Sequence, residues 1–264
     1  MFDMGESTVR LLLFWGGLLV FLALELTIPY REPSVSKKRR WIDNLGLTVF
    51  NSIVLRLAFG AAVVGTAAYA EKEGVGVLRL LDVPLWVQVL LAVVFMDFIL
   101  YVWHLLNHKV PLLWRFHRVH HADLNMDVTT ATRFHIGELA PSAVIKIGLI
   151  YLLGATVPAV VIFESLIVLC AQFHHSSLRV SESFERFYWL FFVPPSMHRI
   201  HHSVKIRERD SNYGVIFSLW DRFLETLVLD VNQEGITIGL GAYRRPERLR
   251  LHHLMLMPFT RPVP

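Results

Sequence analysis

"VPLWVQVLLAVVFMDFILYVWHLLNH", residues 83–108, starts as an unbroken apolar run and ends in two histidines four positions apart. As a helix rising about 1.5 Å per residue, residues 83–106 are long enough to cross about 30 Å of hydrocarbon. His104 and His108 then share one helix face, because residues three and four apart lie about 5–6 Å from each other on a helix surface. The chain crosses a membrane here and presents paired imidazoles where it emerges.

Both features recur. Of the 264 residues, 54% are hydrophobic and the mean hydropathy is positive, which is too apolar for an ordinary soluble domain. "LLLFWGGLLVFLALELTIPY" (11–30) reads as a membrane anchor, because it offers neither the short apolar core nor the small-residue cleavage site of a signal peptide. A second run covers about 45–70. The stretch 139–173 differs, since Gly154 and Pro158 cut it into two pieces; a helical hairpin that enters and leaves by one face is predicted there. The expected fold class is all-α, an integral membrane helical bundle of about three spanning helices plus a helical hairpin, with a His-rich helical cap. The chain divides into N-terminal membrane-anchor helices (1–82), a histidine-bearing domain (83–225) and a C-terminal membrane-associated tail (226–264).

The loops set the orientation. Arg31, Lys37, Lys38, Arg39 and Arg40 fall between the first two runs, whereas only Lys72 and Arg79 lie in 71–82. Excess Lys and Arg mark the cytoplasmic side. The third span then descends to the cytoplasm, the hairpin begins and ends there, and every dense histidine cluster reaches that one aqueous face. The formal charge is only +4, and the basic residues sit in connecting stretches, so a nucleic-acid partner is not expected. Arg56, Asp97, Lys146 and Glu164 lie in or near the spans, where charge is costly. Snorkelling or an interhelical pair accounts for Arg56 and Lys146, while Asp97 lies about two turns before His104 on nearly the same face.

The single cysteine, Cys170, excludes an internal disulfide and a thiolate cluster, so any metal must be held by nitrogen and oxygen. The imidazoles fall into groups: His104 and His108; His117, His120 and His121 in "WRFHRVHHAD" (114–123); His174 and His175; and His198, His201 and His202 in "PSMHRIHHSV" (195–204). His252 and His253 read as interfacial side chains. Crowded imidazoles repel when protonated and need many hydrogen-bond partners when neutral, and a metal relieves both problems. His104, His108, His117, His120, His121, His175, His198, His201 and His202 are nine candidates. They overfill one ion, but suit two roughly octahedral ions, which offer about 12 positions and leave a few for water, a bridging oxygen or O2. "HLLNH" lacks the glutamate of an H-E-x-x-H zinc peptidase. Imidazole donors suit iron, zinc or copper, so ligand type leaves the metal open.

"DFILYVWHLLNH" (97–108), "WRFHRVHH" (114–121), "QFHHSSL" (172–178), "MHRIHHS" (197–203), "DSNYG" (210–214) and "LWDRF" (219–223), in this order and spacing, resemble the fatty acid hydroxylase superfamily, also called the sterol desaturase family. "TTATRFHIGE" (129–138) is similar to its bacterial branch. Ser177 stands where relatives often have asparagine, and Leu224 where they often have glycine. The resemblance implies a membrane enzyme with two non-haem iron ions at the cytoplasmic face, held by the same nine histidines. O2 is its co-substrate, and it hydroxylates or desaturates a C–H bond of a lipid or sterol-like molecule. Asp97, Arg133, His135, His174, Asn212, Tyr213 and Asp221 are candidates for supporting positions around the ligands, and Arg133 could instead hold a lipid headgroup.

An alkyl C–H bond offers no proton that a side chain can usefully remove, so oxidation requires O2 on a redox-active metal, and iron is favoured over zinc. Neither an H-P-G-G haem motif nor a Gly-rich dinucleotide fingerprint occurs in the sequence. An external electron donor is therefore expected, either cytochrome b5-like, ferredoxin-like or a reductase. Lys205, Arg207 and Arg209 form a solvated loop or meet an acidic carrier. The competing readings are a membrane metal-binding protein and a metal-dependent lipid hydrolase, neither of which consumes O2.

Overall fold

The computed structural model describes residues 2–60 and 62–261, with side chains from residue 8 onward. Ala61, inside the second apolar run, and the last three residues of the tail lie outside the described residues. The described chain is helical, with isolated bridges and no strand. The membrane half contains α1 (Phe2–Thr27), α2 (Lys37–Phe59), α3 (Ala62–Glu73), α4 (Leu85–Lys109), α6 (Ile136–Leu153) and α7 (Val157–His175). The cap adds α5 (Pro111–His121), α8 (Glu182–Tyr188), α9 (Pro195–His201), α10 (Ile206–Arg209), α11 (Leu219–Phe223) and α12 (Leu251–Leu256).

Among the described residues, five stretches are long and apolar enough to cross a membrane: Thr8–Thr27, Lys37–Leu80, Leu85–Lys109, Ile136–Leu153 and Val157–His175. Their outer faces are greasy; Leu12 is 67% exposed, Trp86 68% and Leu57 82%. Apolar exposure on helices of this length is what a lipid-facing surface presents. Helix α7 packs against α1, α3 and α4, and a core of Val93, Met96, Ile150, Val160 and Phe163 joins the membrane helices.

The hairpin forms as predicted. Gly154 ends α6 with φ +67°, and a Cβ there would collide with the Val75 carbonyl. A left-handed residue in so close an approach calls for glycine. Thr156 caps α7 through its hydroxyl, which accepts from Ala159 N at 3.3 Å, and Pro158 sits in the first turn. At the other end, Glu25 near the end of α1 accepts from Ser177 N just past α7, while Arg10 reaches Glu164. Helices α1 and α7 therefore run parallel, and the hairpin starts and ends on the side where α1, α4 and the cap meet.

The second apolar run differs from expectation at both ends. Helix α2 starts at Lys37, because its first turns serve the cap: Arg40 Nε and Nη1 lie 2.5 Å from Asp123 and Asp127, and Asn44 Nδ2 donates to Thr129 Oγ1 at 2.9 Å. Burial opposes ionisation of Asp123, but the Arg40 and Arg133 guanidiniums override it and hold the carboxyl below the usual carboxylate range. The helix then breaks at Gly60, with φ +33°, before α3. Two of the five basic residues used for orientation are thus engaged in the fold, since Arg31 also donates to Ile236 O; Lys38 and Arg39 are exposed. The tail folds onto the cap. Leu240, Leu249, Leu254 and Met257 share a core with Leu47, Trp114 and Val119, and buried Arg118 donates to the Met257 and Arg261 carbonyls.

Candidate metal centre

All nine candidate histidines converge at the cap end of α4 and α7. They form two adjacent groups: His104, His108, His117, His121 and His201 in one, and His120, His175, His198 and His202 in the other. Within each group the nearest ring nitrogens all lie within 4.8 Å of one another, and every member is buried.

The tautomers follow from the surroundings. His104, His175 and His201 each place Nδ1 at 2.7 Å from a backbone carbonyl, those of Tyr213, Ala171 and Ser211 respectively. A carbonyl only accepts, so Nδ1 carries the proton and Nε2 presents its lone pair. His117 Nδ1 sits 2.8 Å from Glu138 Oε1, and His120 Nδ1 3.3 Å from Arg133 O. The inward nitrogens then meet: Nε2 of His104 and His201 are 3.0 Å apart, His120 and His175 3.0 Å, and His117 and His121 3.1 Å. Where both Nδ1 atoms are protonated, as in the His104–His201 pair, neither Nε2 can donate to the other, and two lone pairs confront each other in a buried site. Neighbouring ligands of one ion at bond lengths of about 2.0–2.1 Å lie about 3 Å apart, so a cation fits the donor set. Burial, and after it the fields of neighbouring histidines, push His120, His121, His198, His201 and His202 well below the usual histidine value, into the neutral form that binds metal.

The sequence profile of the fatty acid hydroxylase family matches residues 89–226, more than half the chain and all nine histidines. The chain belongs to that family. Ornithine lipid hydroxylase OlsE of Rhizobium tropici is 35% identical over 158 residues, 60% of this chain and 46% of that protein. Cholesterol 25-hydroxylase of Rattus norvegicus is 27% identical over 206 residues, 75% of this chain and 64% of that protein. Alkylglycerol monooxygenase of Homo sapiens is 26% identical over 173 residues, 64% of this chain and 36% of that protein. The chain spans less than two thirds of each relative's length. No solved structure matches it.

Around the histidines of this fatty acid hydroxylase domain, the other predicted positions take different parts. Asp97 turns away from His104: its carboxylate accepts from Ile216 N, Phe217 N and Trp220 Nε1. Asp221 accepts from Tyr213 N and Gly214 N, both at 2.8 Å. The two carboxylates clamp the loop whose Tyr213 carbonyl orients His104. Burial raises Asp221 to about 6, and its hydrogen bonds oppose that rise. Asn212, with φ +55°, pins the same loop to Met197 O and Val228 O, and the Tyr213 ring packs edge-on against His104. Arg133 is buried, donates to Val119 O and Asn44, and lends its carbonyl to His120. The His174 ring lies 4.0 Å from that of His198, tilted by 39°, but His174 belongs to neither group. His135 caps α6 by accepting from Gly137 N, and its Nε2 meets Met255 O.

The Glu138 carboxylate, the Asp210 carboxylate 3.4 Å from His108, and the Ala171 and Ser211 carbonyls escaped the sequence reading. Glu138, Asp210 and Ser211 fall in stretches already singled out, but spacing alone does not say which histidine each one meets.

A cavity of about 280 Å³ leads to the histidines from within the bundle. His104, His117, His120, His175 and His198 line it at one end, and Met96, Ile99, Leu100, Leu139, Phe163 and Ile167 form apolar walls.

Proposed function

We propose that this chain is an O2-dependent membrane oxidoreductase that hydroxylates or desaturates a C–H bond of a lipid or sterol-like substrate. One observation carries the reading: two adjacent, all-histidine donor groups at the inner end of an apolar cavity bounded by helices fit to cross a membrane. His104, His108, His117, His121 and His201 would hold one iron ion, and His120, His175, His198 and His202 the other. Iron so held would supply the O2 activation and one-electron chemistry that an alkyl C–H bond demands. Hydroxylation balances as R–H + O2 + 2 electrons + 2 protons giving R–OH + water.

The chain's own residues bind and orient. The apolar walls take an alkyl chain sideways from the bilayer and exclude water. Buried carbonyls and carboxylates at Nδ1 fix the imidazoles and leave Nε2 free as ligand. The named relatives, two hydroxylases and a monooxygenase, support lipid oxidation. A separate redox protein supplies the electrons. Exposed Lys38 and Arg39 support placing the cap on the cytoplasmic side.

Lipid mass spectrometry of cells with and without the protein, grown with and without air, tests this. The expected result is a lipid that gains one oxygen or loses two hydrogens only with protein and O2. An unchanged lipid profile, together with no O2 uptake by reduced, iron-loaded protein, would remove the reading.

A further inference from the structure

Away from the histidines, three charged residues from three helices meet inside the apolar half of the molecule. Lys146 Nζ on α6 is 2.6 Å from Glu164 Oε1 on α7, and Arg10 Nη2 on α1 is 2.5 Å from Glu164 Oε2. Two cations share one carboxylate, so the cluster carries a net positive charge. An ion pair sunk among apolar helices costs desolvation that packed hydrophobic residues would avoid, and ionisable groups at such positions usually mark a functional site.

A second observation shows where the excess charge points. Arg10, Lys146 and Glu164 line a cavity of about 220 Å³, whose described lining includes no other carboxylate. Lys146, Ile167 and Val168 also line the larger cavity that ends at the histidines. The Lys146 and Arg10 side chains are 27% and 36% exposed, so both can reach a ligand, whereas Glu164 is 8% exposed.

We propose that this cluster anchors the anionic end of a single-tailed lipid, a carboxylate or a phosphate, whose apolar chain passes the shared wall of Lys146, Ile167 and Val168 into the neighbouring cavity and runs to the histidines. The proposal rests on the oxygenase reading and sharpens it. Glu164 and His175 are eleven residues apart on α7, which is about 16 Å along a helix axis. Oxidation would then fall well along the chain, remote from the charged end, and the cluster would set the distance.

Binding can be measured without turnover, because Trp103 lines the larger cavity and brominated chains quench tryptophan fluorescence. The full-length protein in nonionic detergent at about pH 9, where the free acid is ionised, is titrated with brominated stearate, stearyl alcohol and stearoyl lysophosphatidate. Trp103→Phe identifies the cavity signal. At least one anion should bind about tenfold tighter than the alcohol, the scale of a charge-assisted hydrogen bond; preference for stearate names a free acid, and preference for lysophosphatidate names a single-chain phospholipid. Lys146→Met should erase the preference and Lys146→Arg restore it. Glu164→Gln, by removing the competing carboxylate, should tighten anion binding several-fold while leaving the alcohol unchanged. A purely structural cluster would instead weaken all ligands alike in every variant. Equal affinities for anions and alcohol in the unmodified protein would overturn the proposal, as would parallel losses in Lys146→Met. If anion preference holds and no oxidation occurs, the oxygenase reading falls and this one stands; if oxidation persists without preference, this one falls alone.

Discussion

The two H-x-x-H-H segments, one on α5 and one on α9, look like repeats, yet they feed the two donor groups in mirrored fashion. Helix α5 gives His117 and His121 to the group of five and His120 to the group of four; α9, with the His202 that caps it, gives His198 and His202 to the group of four and His201 to the group of five. Helix geometry explains the exchange. Residues four apart lie about 40° apart around the axis and share a target, while the residue three along falls about 60° to the other side. Each helix therefore hands one histidine across. The supports differ: α5 leans on the Glu138 carboxylate and the Arg133 carbonyl, whereas α9 leans on the Ser211 carbonyl in a loop that runs into the segment clamped by Asp97 and Asp221. Sequence repetition set the donor pattern, and unrelated contacts hold each copy in place.

The crossed arrangement makes its largest prediction at neighbouring residues. His120→Ala and His121→Ala should each lower iron from about two per chain to about one, from different sites, and the double variant should approach none. Metal analysis of purified full-length protein checks this; a double variant no worse than the singles would mean that α5 serves a single site. Next in size, Glu138→Gln should weaken iron binding by about 10- to 100-fold, the usual cost of losing a partner behind a ligating histidine. Chelator competition would read it, and an unchanged affinity would break the contrast between the supports. On the α9 side, Asp221→Asn keeps one good acceptor for two backbone donors. It should cost about 1–3 kcal/mol of stability, with a smaller loss of iron than at Glu138, by thermal unfolding and metal analysis.

A smaller effect should appear on acidification of metal-free protein. Five cap histidines sit well below their ordinary value of 6.5. The unfolded chain then binds protons that the fold excludes, so stability is full above about pH 6.5 and falls as pH drops below it. Thermal melts across that range would show the slope, and bound iron should reduce it, since metal competes with protons for the same nitrogens. Least of all, His252→Gln with His253→Gln should leave iron content unchanged; both side chains are exposed and belong to neither group.

The grouping of eight candidate histidines was legible because helical spacing aligns them within 104–108, 117–121 and 198–202, while His175 was named over His174 by the family resemblance; the hairpin was legible because Gly154 and Pro158 break an apolar run at a short turn. What sequence could not supply was contact between distant segments. Asp97 shares a helix with His104, which suggested a partnership, yet tertiary packing spends its carboxylate on the loop at 216–220. His135 sits beside a metal-like stretch but is a helix cap. The start of α2 was misplaced because Arg40, Asp43 and Asn44 read as a polar loop, whereas partners more than 75 residues away bury Arg40 and Asn44. Hydropathy sees burial in lipid and misses burial in a polar network.

The central claim is that two metal ions sit side by side among nine imidazoles. Iron quantification with iron-edge X-ray absorption on the full-length protein tests it most directly. Two irons per chain, nitrogen- and oxygen-ligated with an iron neighbour within about 4 Å, is the expected result. A single iron per chain, or two with no metal neighbour at that range, would contradict it.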